Sequence, residues 1–182
     1  MGSRHVRVVL VAVMFACVIS SLSAAVPPEK AGATTTVKTC GGESISLKIK
    51  EKRVLALHNV ARAAHDLKPL CVDPRLTRAA RSHSREMINK DYFSHSSYNG
   101  ETVGKRLERF GYNRSIYAEN IGGGSGTFGT SGSIFRRWMN SPSHKGNILD
   151  GRCRPVGVGT YTGLYKGTRG YTMYTVDFGV RR

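Results

Sequence analysis

Asp73-Pro74 fixes where one long helix must begin, and the rest of the chain has to be arranged around that helix. Aspartate accepts hydrogen bonds from the free N–H groups of a first helical turn, and proline at the first helical position lacks an N–H that would have no intrahelical partner. Leu76, Ala79, Ala80, His83 and Met87 then fall on one face, which predicts an amphipathic helix running to about Lys90. Upstream, Leu57, Val60, Ala61 and Ala64 recur at helical offsets and predict a helix over about 50–66, with that set as its apolar face. Pro69-Leu70-Cys71-Val72 reads as a short buried strand. Val103, Leu107 and Phe110 mark a third helix stopped by Gly111, and a fourth runs through Ile134 and Trp138 to end at Pro142. Strands at about 155–161 and 171–178, joined by a glycine-rich connection, suit an antiparallel hairpin. Helices with a few antiparallel strands and no repeating strand-helix alternation define an α+β chain.

The N-terminus reads as an address. Arg4, His5 and Arg7 precede an apolar run from Val8 to Ile19 and then small residues, the layout of a cleaved secretory signal peptide over 1–25. The run is too short for a membrane span, so the mature chain is expected to have none. Val26 to about Lys38, rich in proline, glycine and threonine, reads as a flexible spacer, giving a spacer over 26–40 and one folded domain over 41–182. Removing the leader takes away two arginines and no acid, so a formal charge of +16 becomes +14. Lys48, Arg78, Arg106, Arg137 and their like place that charge on several faces, which favours attraction to anionic surfaces. No basic motif with interleaved stacking aromatics is present, so specific nucleic-acid binding is not expected. Export leaves Cys40, Cys71 and Cys153, and an oxidising compartment predicts one bridge and one remaining thiol, with all three pairings open.

Gly124-Ser125-Gly126-Thr127-Phe128-Gly129 fits the letters of a dinucleotide fingerprint, but no βαβ unit or leading strand is expected around it, so it reads as a glycine loop. The histidines divide by setting. His65 is a solvated helix-edge residue, His83 a hydrogen-bonded core residue, and His58, beside Asn59 and one turn before Arg62, a structural anchor for loops. His95 and His144 both follow predicted helices where the chain turns, each flanked by serines.

Several strings give these positions a common meaning. They are His58-Asn59-Val60-Ala61-Arg62, Tyr92-Phe93-Ser94-His95, Ala118-Glu119-Asn120-Ile121, the segment from Trp138 to Leu149, Gly157-Val158-Gly159 and Asp177-Phe178-Gly179. In this order over 51–179 the chain resembles the bacterial type of the CAP superfamily, which groups cysteine-rich secretory, antigen and pathogenesis-related proteins. The resemblance implies an α-β-α sandwich, a small mostly antiparallel sheet flanked by about four helices. It also implies a cleft where His95, Glu119 and His144 match three of four lining residues. In that family the two histidines can hold zinc or another divalent metal, with glutamate supporting ligands or waters. Many members carry a second glutamate after the helical tryptophan, whereas Trp138 is followed here by Met139, Asn140 and Ser141. One carboxylate fewer, and Lys145 beside His144, weaken a cation site.

The implied protein is secreted and non-enzymatic, with no required cofactor. Its cleft takes a small ligand, a lipid, a divalent metal or an anionic component of the cell envelope. The alternative is a metal-assisted extracellular hydrolase using the same cleft with Glu119 as base. Secretion predicts that intact-mass measurement of exported protein finds a chain beginning near Val26, and a retained Met1 contradicts it.

Overall fold

The structure, a computed structural model, describes residues 34–113 and 117–180. The expected leader and residues 26–33 lie outside the described residues. A first hairpin pairs β1 (Thr34–Lys38) with β2 (Ser44–Lys48). The spacer expected over 26–40 therefore gives way at Thr34 to a paired strand, because the threonine tract read as flexible is also β-branched and suits a half-exposed hairpin. Then come α1 (Ile49–Ala63), β3 (Cys71–Val72), α2 (Pro74–Asn89), α3 (Val103–Arg109), β4 (Tyr117–Gly124), α4 (Ser131–Met139), α5 (Pro142–Leu149), β5 (Cys153–Tyr165) and β6 (Thr168–Val180). The main sheet has the order β3-β5-β6-β4; only β3 pairs in parallel, and β4 lies at an edge. α2 and α3 cover one face, while α1, α4 and α5 cover the other. The chain is an α+β, three-layered α-β-α sandwich with five α-helices among the described residues.

α2 forms as its sequence dictates, with Asp73 Oδ1 accepting from the N–H groups of Arg75 and Leu76. The helix sits unusually close to the sheet. A Cβ on Gly157 or Gly159 would run into the backbone of Leu76 or Ala80, so the Gly-Val-Gly string marks where α2 rests on β5. Ser84 reinforces the contact by donating to the Gly159 carbonyl at 3.1 Å, with its hydroxyl also 2.9 Å from that of Thr175. β5 and β6 are joined through Lys166 and Gly167, both at positive φ, as a two-residue hairpin of the primed type requires.

Pro142 does not only end α4: it opens α5, where a proline in the first turn loses nothing. α1 corrects the expected core face. Val60 is 69% exposed and Ala64 is exposed, while Glu51, Val54, His58 and Arg62 are buried. Polar side chains can occupy a core face when each polar atom is met. The Glu51 carboxylate accepts from Lys48 N, Arg81 and Thr160 N, and Arg62 donates to the carbonyls of Lys68, Ile148, Asp150 and Cys153. Arg62 and Asn59, rather than His58, hold the loops, Asn59 bonding both backbone groups of Leu70. Cys40 and Cys71 form the bridge and Cys153 is the buried free thiol, pushed up to about 11 by burial.

His58 is packed among Phe135, Trp138 and Phe178, with Nδ1 on the Val54 carbonyl and Nε2 without a partner among the described residues. Burial drives it down to about 4 from 6.5. The unfolded chain therefore takes up a proton that the folded chain refuses between those values, so stability is full above pH ~6.5 and falls on acidification. We expect urea denaturation to show wild type losing on the order of 3 kcal/mol relative to His58→Phe between pH 7 and 4. Parallel pH profiles would contradict the assignment.

Candidate functional site

The site is built around Glu119, on the edge strand β4, an element absent from the sequence reading because Gly122-Gly123-Gly124 masks its strand character. β4 also leads directly into the glycine segment, contrary to expectation, but it is an antiparallel edge strand. Gly126–Gly129 forms a 3-10 turn rather than a nucleotide loop.

Across the sheet, Gly157, Asp177 and Glu119 pair in one row from β5 through β6 to β4. The Glu119 side chain is only 2% exposed. Its Oε1 accepts from His95 Nδ1 at 2.7 Å and its Oε2 from Arg106 Nη2 at 2.5 Å. Burial pushes the carboxyl up, but the His95 hydrogen bond and the Arg106 charge outweigh it and hold Glu119 below the usual carboxylate range. Asp177 goes the other way: full burial, then the neighbouring Glu119 charge, raises its carboxyl well above the ordinary value. No backbone N–H or cation among the described residues bonds its oxygens, and the group facing it across the strand pair is the Glu119 carboxylate. Of this acid pair, Glu119 carries the negative charge and Asp177 the proton.

Arg106 is the residue that sequence reasoning misplaced. Counted there as surface charge, it is 1% exposed, and its Nη1 also donates to the His95 carbonyl at 3.0 Å and to Ser97 Oγ at 3.1 Å. Its place one turn after Val103, next to Leu107, is the signal that it lies on the buried side of α3. One guanidinium thus fixes the carboxylate and the backbone of the loop that carries His95.

An ionised Glu119 requires the proton on His95 Nδ1, which leaves Nε2 as the lone-pair nitrogen of the neutral ring. His144 lies within α5, not in a turn after a helix, and its Nδ1 shares a 2.7 Å hydrogen bond with Ser141 Oγ. Burial and then the neighbouring His95 keep its ring below the ordinary histidine value. The main chain around His144 is tied to β4 by Asn120, whose amide donates to the His144 carbonyl and whose oxygen accepts from Asn147. Sequence reasoning noted neither asparagine as a site residue.

His95 and His144 line one cleft of about 780 Å³ that crosses the β4 edge between the two helical layers. Phe93, Ile121, Tyr165 and Tyr171 give it an apolar side, and Ser94, Ser141 and Arg137 a polar one. Glu119 lies beneath His95 and does not reach the lining. The edge is closed by side chains: Asn147, Trp138 and Arg137 donate to the carbonyls of Glu119, Ile121 and Gly123 in turn. Among the described residues no three His, Cys, Asp or Glu side chains are grouped to hold a metal ion. His83 stays out of the cleft, with Nε2 on the Ser94 carbonyl, and His65 is exposed.

The domain is thus a three-layer sandwich with two histidines and a buried glutamate at the edge of its sheet. The sequence profile of the cysteine-rich secretory protein family, CAP, matches residues 55–178, and the chain belongs to that family. It is 34% identical over 131 residues to the Bacillus subtilis protein YkwD, covering 72% of this chain and 48% of that one. It is 31% identical over 109 residues to the B. subtilis membrane protein YlbC, covering 60% and 31%. The chain thus spans about half the length, or less, of these curated relatives. Among solved structures it resembles an extracellular SCP-domain protein of Bacillus anthracis, with a TM-score of 0.63 and 25% identity over 78% of this chain and 47% of that one. It shares its fold with an outer surface protein of Borrelia burgdorferi, with a TM-score of 0.63 and 19% identity over 82% and 100%. No described helix is long and apolar enough to cross a membrane.

Arg106→Met should destabilise the protein by about 3–5 kcal/mol in urea denaturation, since it strands a buried carboxylate. Asp177→Asn, which replaces a neutral acid by a neutral amide, should stay within about 1 kcal/mol of wild type. The reverse ranking would contradict the assigned protonation.

Proposed function

We propose that this protein is an extracellular binding module whose cleft holds a small ligand between His95 and His144, without catalysing its conversion. The observation that carries the reading is the state of Glu119: each oxygen is bound to a fixed cation or ring N–H, and its basicity is depressed. A carboxylate so engaged is a poor general base, which favours binding over the hydrolase alternative. It is well suited to holding an imidazole in one tautomer and orientation. The cleft volume falls within the range of ~300–1,000 Å³ common for ligand sites. The extracellular placement draws on the leader-like N-terminus and on the B. anthracis relative described as extracellular.

A divalent cation fits this donor set only loosely. His95 and His144 supply two imidazoles, Glu119 is committed to orienting one of them, and Arg137 adds positive charge at the wall. A bound zinc would serve as an attachment point for an anionic group of the ligand. Its hold weakens as His144 protonates, and the lowered value of that ring places this loss below pH ~6.5.

Calorimetric titration with zinc tests the site. His95→Ala and His144→Ala should each weaken binding by about tenfold or more, and Glu119→Gln should weaken it less. Equal zinc binding by wild type and the double histidine variant would sink the shared site. Hydrolysis of ester, peptide, glycoside or phosphoester probes that disappears in the double variant would replace the binding reading with the hydrolase one.

A further inference from the structure

α2 carries a line of polar and basic side chains on the side away from the sheet. Arg75, Arg78, Ser82, Arg85 and Asn89 succeed one another at alternating offsets of three and four, which keeps them on one line along the helix. At 1.5 Å per residue the line is ~21 Å long. Ser82 is partly exposed and the other four are exposed, with Lys90 exposed at the far end. Arg75 is neutralised by Asp73 at 2.7 Å. Among the described residues, no carboxylate lies within ion-pair distance of Arg78 or Arg85. Of the acids nearby, Glu51 is paired with Arg81, while Glu86 accepts from the Tyr92 hydroxyl and keeps its charge on the flank of the line. Lys48 adds charge on the flank: its Nζ and the Arg85 guanidinium lie 5.9 and 5.5 Å from the Tyr161 ring centre.

We propose that the outer face of α2 docks a linear phosphate polymer along this line of arginines. These arginines stand on a helix held by its close seat on β5, so the backbone positions of Arg78 and Arg85 keep their spacing when a polymer arrives. Guanidinium groups match phosphate oxygens two at a time, which a lysine point charge does not. No apolar side chain projects from the line, so the face offers nothing to insert into a bilayer. It has no free ring for base stacking either, because Tyr161 is covered by Arg85 and Lys48. A polymer of phosphates without bases fits both restrictions. The surface is separate from the cleft, and none of its residues lines it.

Fluorescence titration of the whole protein with long-chain inorganic polyphosphate tests this assignment. Arg78→Gln/Arg85→Gln should bind at least about tenfold more weakly and show a salt slope shallower by roughly one to two. The control Arg136→Gln/Lys145→Gln removes the same charge from exposed positions in the opposite layer and should change affinity by less than about twofold. The His95/His144 double alanine variant should bind polyphosphate like wild type, which separates this surface from the cleft. Equal losses in the two glutamine pairs would overturn the assignment in favour of general charge attraction. Tighter binding to phosphatidylglycerol vesicles, or to single-stranded DNA of equal phosphate number, would overturn the choice of polymer.

Discussion

The carboxylate of Glu119 is buried on an edge strand, and burying a charge in a protein interior is tolerated only when its oxygens are matched. Arg106 and His95 match them, one oxygen each. The consequences extend outward from that pair. Arg106 also grips the His95 carbonyl and Ser97, so the loop after α2 is fixed by the same guanidinium that neutralises the acid. Asp177, directly across from Glu119 on β6, is pushed well above the ordinary carboxylate value by burial and then by that charge. The cleft inherits an imidazole of defined tautomer from an interaction that the cleft itself does not contain.

The second half of the site depends on how the two helical layers meet at the same strand. Asn120 points from β4 toward α5 and receives Asn147 while donating to the His144 carbonyl. Glu119 and Asn120 are adjacent residues, and adjacent strand residues face opposite sides of a sheet. One dipeptide therefore anchors His95 through the α2 layer and His144 through the α5 layer. The cleft forms where those layers pass the edge of the sheet, with Trp138 and Arg137 capping the exposed carbonyls of β4.

α2 links this architecture to the basic surface. Its apolar face is seated on Gly157 and Gly159, positions at which any side chain would lift the helix away from the sheet. A helix held this closely turns its other face outward without ambiguity, so the arginines on that face project from one line of a fixed backbone. The net charge of +16 has no geometry as a number, and the fold converts part of it into a directional feature.

α2 was legible in the sequence because its cap, its proline and its apolar spacing are local signals that agree. The terminal hairpin and the structural role of His83 were legible for the same reason, and the matching strings placed His95, Glu119 and His144 in one family pattern. Other features depend on partners far along the chain. Arg106 read as surface charge, and Arg62 lay outside the apolar set expected for α1, because an arginine's burial is set by the carbonyls and carboxylates that surround it, and those come from residues 95–119 and 68–153. The buried face of α1 was misread on the same grounds, since Glu51 and Arg62 displace Val60 and Ala64 from the core only once Arg81 and the α5–β5 connection are in place. β4 was hidden by three glycines whose strand conformation is imposed by pairing with β6. Local sequence determined the elements that carry their own periodicity and caps. Tertiary structure decided which charges are buried, because the free energy of a charge depends on what surrounds it in space.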